Sequence, residues 1–132
     1  AVALARITHG LIIGASAEPE EEGEALEITE GTPGVEKVTQ LLTFHVGPDV
    51  AILSMKIAFR KEMVVDEVEE TINEIERRIR GRMATMKKIF IEVDAHGDGR
   101  GLERARKAWA KRKAEGPLSE DEKKDEKKDA AE

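Results

Sequence analysis

The chain of 132 residues contains no cysteine and no tyrosine, and its only aromatics are Phe44, Phe59, Phe90 and Trp109. Without thiols there can be no disulfide and no thiolate metal site. With so few rings, the core must be built from Ile, Val, Leu and Met. Long apolar runs are missing too. A membrane-spanning helix needs roughly 20 such residues, and no stretch here approaches that. The first residues do not show the basic, apolar, small-residue layout of a secretory signal. The phosphate loop G-x-x-x-x-G-K-[ST], the zinc motif H-E-x-x-H and any nucleophile–base pair are absent, so the chain reads as no enzyme.

What the chain has in abundance is charge, 38% of residues with a net of -6. That fits one small domain with charged tails. Glu18, Glu20, Glu21, Glu22, Glu24, Glu27 and Glu30 crowd residues 18–30, with Leu26 and Ile28 as the large apolar residues. The pattern predicts a short, marginal helix with a solvated acidic face. Pro19 opens it, Gly23 weakens it and Thr32-Pro33-Gly34 lies beyond its end.

Residues 35–59 hold two β-rich runs around Gly47-Pro48-Asp49, which is turn chemistry. In the second run Ala51, Leu53, Met55, Ile57 and Phe59 alternate with the rest, placing them on the buried face. In the first run Val38, Leu42 and Phe44 share one parity. A helix follows over 65–80, with Val65, Val68, Ile72, Ile75 and Ile79 as its apolar stripe. Asp66 is expected to cap it, with Glu69 at capping-box spacing and Gly81 as its stop. A third strand spans 87–94, with Ile89, Ile91 and Val93 inward and Phe90, Glu92 and Asp94 outward.

Strand, helix, strand argues for a parallel crossover. The order helix, strand, strand, helix, strand predicts a ferredoxin-like α+β sandwich: three strands, both helices on one face, the other face bare. A bare face carrying Phe90 and Ile52 invites a partner, and a homodimer is expected. Residues 100–113 are rich in Arg and Lys, with Leu102, Ala105 and Trp109 on one side at helical spacing. This segment, helical around 101–114, reads first as a charged solubilising helix. From about residue 118 the chain carries almost no apolar side chains and is expected to be disordered.

In this order and spacing, the segments LARITHGLIIGASAEP, TPGVEKV, LLTFHVGPDVAILSMKIAF, VVDEVEETINEIERRIR and KKIFIEVD resemble the cytoplasmic C-terminal domain of cation diffusion facilitator transporters. The resemblance runs over about residues 3–94. It implies a division into an elbow (1–17) following a membrane region, a dimerisation domain (18–95) and a charged tail (96–132). Gly10, Leu11, Ile12, Ile13 and Gly14 would form the membrane-side elbow. Family members are proton-coupled exporters of zinc, manganese, iron or cobalt. They are homodimers whose cytoplasmic domains meet in a V that closes on metal. The transport site lies in the membrane helices. The resemblance thus implies a regulator and dimeriser at the cytoplasmic face of the membrane, partnered by its own membrane domain.

In some family members the last strand ends in a His-x-Asp pair. Here Glu92 stands in place of the His, two residues before Asp94, with Glu36 and Glu62 at two further ligand positions and Ser54 replacing a middle-strand His. Strand geometry puts Glu92 and Asp94 on one face, and an all-oxygen set favours manganese or magnesium over zinc. Read plainly, these are exposed strand carboxylates. His45 reads as a turn histidine or a ligand, and His9 as a linker residue. Asp94, His96 and Asp98 look like the start of a calcium loop, but Ala105 stands at the twelfth position, where a bidentate Glu is needed. The candidate metal set is therefore Glu92, Asp94, His96, His45 and Glu36.

A second class of reading is a free-standing soluble metal-binding or protein-interaction module on the same fold. A metal chaperone is disfavoured by the missing Cys-x-x-Cys. Binding through 100–113 remains a third class. The acidic total and the nearby DEKK repeat argue against nucleic acid; contact with anionic lipid is the alternative partner for that segment, with the charged solubilising helix as its first reading.

Overall fold

The computed structural model describes residues 16–116. The elbow Gly10–Gly14, His9 and the tail from 117 lie outside the described residues. Six elements follow one another: α1 (Pro19–Glu30), β1 (Val35–Gly47), β2 (Val50–Phe59), α2 (Val65–Arg82), β3 (Met86–Val93) and α3 (Glu103–Glu115). The sheet order is β1-β2-β3, with β1 antiparallel and β3 parallel to the central β2. Through β3 this is the expected ferredoxin-like sandwich.

The core lies between the sheet and α1 with α2. Alternation along β2 buries Ala51, Leu53, Met55, Ile57 and Phe59, as its period of two requires. Leu26 of α1 and Ile75 and Ile79 of α2 complete the centre. Thr29 is fully buried and satisfied: its hydroxyl donates to the carbonyl of Ala25 at 2.7 Å. The entry to α1 is fixed by Thr43, which accepts the Ala17 N–H at 2.8 Å and donates to Glu22 at 2.7 Å.

Several expectations are corrected. Val38 does not share a face with Leu42 and Phe44. The β1–β2 register shifts between Val38 and Gln40, so beyond that irregularity Leu41 and Thr43 face the core. Leu42 and Phe44 are turned outward and are 45% and 44% exposed. The helix stripe loses its first member, because Val65 is 81% exposed. Val93 at the end of β3 is exposed as well. The cap of α2 is not Asp66. The helix starts at Val65, and Glu67 accepts the Val64 N–H at 3.0 Å. Gly81 does not stop α2, which continues to Arg82 and ends where Met83 turns into the core.

The sheet face away from α1 and α2 presents Leu42, Phe44, Val46 and Phe90, all exposed. Pairing places Phe44 beside Ile52 and Ser54 between Leu42 and Phe90, so these side chains form one patch. At its edge Lys56 and Glu92 make an ion pair at 3.4 Å.

Candidate functional site

The end of β3 is tied back across the sheet. The Asp94 N–H donates to Ile57 O at 2.8 Å. One carboxylate oxygen of Asp94 accepts the Thr39 hydroxyl at 2.8 Å, and the other accepts the His96 N–H at 3.0 Å. The His96 N–H, then the Thr39 hydroxyl, hold the Asp94 carboxyl below its usual range, because each favours the anion. Glu92, on the open face, is paired with Lys56.

The candidate ligands fall in two places. Glu92, Asp94 and His96 are neighbours at one end of the sheet. Glu36, exposed at the start of β1, lies at that same end, beside the Val35–Phe59 pair. His45 is opposite Ala51 at the hairpin end. Ile57 lies six positions along β2 from Ala51, or about 20 Å at strand rise. Glu62 is exposed in the turn before α2. Among the described residues, no three His, Asp or Glu side chains converge as a metal site. Both Asp94 oxygens already have donors. Among the described residues of a single chain the sequence candidates therefore form no assembled metal site.

A second feature went unread in the sequence. The basic segment is not simply solvated: α3 packs on α1. Gly23 sits at the crossing, where an added Cβ would fall far inside contact distance of Ala105 O and the Trp109 Cβ. Glu30 takes Arg106 with both oxygens, at 2.5 and 2.7 Å, and also accepts the Val38 N–H at 3.2 Å. Glu27 accepts the Trp109 indole N–H at 2.8 Å and pairs with Lys113. The signal for this was present: a helical glycine that propensity disfavours, on an acidic helix, and small Ala105 on a basic one. What remains outward on α3 is Arg104, Lys107 and Lys111, all exposed.

These contacts carry a pH dependence. Arg106 lowers the Glu30 carboxyl, and Lys113 followed by Trp109 lowers that of Glu27. A depressed carboxyl stabilises the folded form above its unfolded value, and that stability is lost as pH falls through the lower folded value. Acid should therefore release α3, starting just below the ordinary carboxylate range. Emission from the single Trp109 reads this directly. A wild-type emission profile unchanged between pH 6 and pH 3 would count against it.

Three comparisons bear on this geometry. The family described as cation efflux protein, cytoplasmic domain, matches residues 17–96. Solved structures of the MamM C-terminal domain share the fold. A nickel form is 21% identical and a manganese form 22% identical, each with TM-score 0.53 over 58% of this chain and 95% of that chain. A cadmium form is 21% identical over 58% of this chain and 94% of that one, at the same TM-score of 0.53. Among the curated proteins there is no significant match. The family match ends before α3 begins.

Proposed function

The chain belongs to the cytoplasmic-domain family of cation efflux proteins, and from that premise we propose that it is the regulatory and dimerisation domain of a proton-coupled exporter of divalent metal cations. The observation that carries the reading is the bare sheet face with Leu42, Phe44, Val46 and Phe90. A second copy is its occupant. Lys88 and Glu92 are both on β3 and exposed around the patch, so a two-fold arrangement can set each against the other's counterpart.

The metal reading rests on the closeness of Glu92, Asp94 and His96 along the end of the last strand. Glu92, Asp94 and His96 would supply oxygens and an imidazole, completed by Glu36 of a second copy or by water. Two crowded carboxylates gain from a cation between them. Binding is weak, because a cation must share the Asp94 oxygens with the Thr39 hydroxyl and the His96 N–H and compete with Lys56 for Glu92. The MamM domain was solved in nickel, manganese and cadmium forms. For this chain zinc, manganese, iron and cobalt are the candidate ions, and the donor chemistry leans to the harder ones. Calorimetric titration with manganese and with zinc should show uptake that drops at least tenfold in Glu92→Ala/Asp94→Ala. Equal uptake by both proteins would sink the site.

The outward stripe of Arg104, Lys107 and Lys111 adds a contact with anionic headgroups, worth about 1 kcal/mol per basic residue near a charged bilayer. Co-sedimentation with phosphatidylglycerol vesicles but not phosphatidylcholine vesicles is the expected result. Equal recovery with both would remove this contact.

A further inference from the structure

The segment from Asp94 to α3 is tied to two adjacent residues of β1, to Thr39 directly at one end and to Val38 through Glu30 at the other. At one end, the Asp94 carboxylate takes the Thr39 hydroxyl. The loop that follows lies on the strand so closely that a Cβ on Gly97 would meet Thr39, and one on Gly99 would meet Val38 O. Gly99 also has φ +73, a conformation glycine adopts without strain. Leu102 then buries itself at the start of α3. At the other end, Arg106 of α3 grips Glu30, and Glu30 in turn accepts the Val38 N–H.

The remaining hold on α1 is mostly charge. α1 has Glu20, Glu21, Glu22, Glu24, Glu27 and Glu30 and no basic residue, while α3 has six Arg and Lys against Glu103 and Glu115. Pairs of this kind are individually weak where water reaches them. Only Leu102 and Ala105 on this side are buried apolar groups. Docking of α3 thus depends on several small contacts made together, and the Asp94 tie positions the loop that delivers them.

We infer that α3 is a latch on α1 whose closure is coupled, through Val38 and Thr39, to the hold of the Asp94 carboxylate on Thr39. Drawing Asp94 away from Thr39 frees the loop, withdraws Leu102 and loosens α3. The coupling deepens the metal reading and rests on it for its trigger: a divalent cation at Asp94 competes for the oxygens that Thr39 and His96 now hold. A helix outside the matched family span would then answer to metal at the end of the last strand.

Thr39→Val tests the latch without touching any candidate ligand. In the full chain, amide exchange over 103–115 should quicken at least tenfold, with Trp109 emission shifted to the red and β2 exchange unchanged. Should that variant lose β2 protection, Asp94→Asn makes the same test by weakening the acceptor. Unchanged α3 exchange in a folded variant overturns the latch. Titration with manganese and with zinc, each followed by calorimetry and by Trp109 emission together, separates the two readings. Heat without an emission change sinks the coupling and leaves the metal site standing. No heat, with the emission shift still present in Thr39→Val, sinks the metal trigger and leaves the latch.

Discussion

Phe44→Ser/Phe90→Ser should convert a homodimer into a monomer. Both rings stand on the bare sheet face, at 44% and 58% exposure, so about half of each remains to be buried by association. Full burial of such a side chain stabilises by about 1.5–3 kcal/mol, so half burial gives about 1 kcal/mol each. A two-fold interface contains every residue twice, and four rings amount to about 4 kcal/mol. That corresponds to roughly a thousandfold in the dissociation constant. The folded protomer should lose little, because neither ring belongs to the core between sheet and helices. Sedimentation velocity at tens of micromolar protein should show wild type as a dimer and the variant as a monomer, with similar melting of each at low concentration. A variant that still sediments as a dimer would move the interface to another surface. A monomeric wild type would sink the dimerisation reading for this domain.

The ease with which β2 was read, against the difficulty of β1, has a physical cause. β2 is the central strand with one face against two helices, so its alternation is enforced from Val50 to Ile57 and gives way only where Ala58 is buried as well. β1 is an edge strand with a register shift beside Thr39, and one extra residue there exchanges the faces of all that follow. No local pattern marks such a shift. The same holds for Val65 and Val93, whose apolarity looks like core but which stand where no layer covers them. Glu92 and Asp94 were legible as a pair on one strand end. Their engagement by Lys56 and Thr39 was not, because it depends on which strands are neighbours. The docking of α3 lies further still from local pattern. It joins Glu30 to Arg106 across 76 positions and rests on a glycine that looks like a defect when α1 is considered alone.

That glycine supplies the second large effect. Gly23→Ala should release α3 from α1 while strengthening α1 itself. In an isolated helix the substitution is favourable by about 1 kcal/mol. Here the new methyl would collide with Ala105 O and the Trp109 Cβ, one a backbone atom and the other rooted on its helix, so neither can swing aside. Forcing an extra methyl into such a contact costs about 1–3 kcal/mol, and α3 has little apolar burial with which to resist. Retreat of α3 is the cheaper response. It separates Trp109 from Glu27 and Arg106 from Glu30, so Trp109 emission should shift to the red and exchange over 103–115 should approach that of an exposed segment. The sign of the stability change then depends on α3. In the full chain the melting temperature should fall, because lost docking outweighs the helix propensity gained. In a chain ending at Leu102 the colliding atoms are gone, and the same substitution should raise it. A fall in both backgrounds would mean that Gly23 serves α1 or the sheet directly, and that its contact with α3 is incidental.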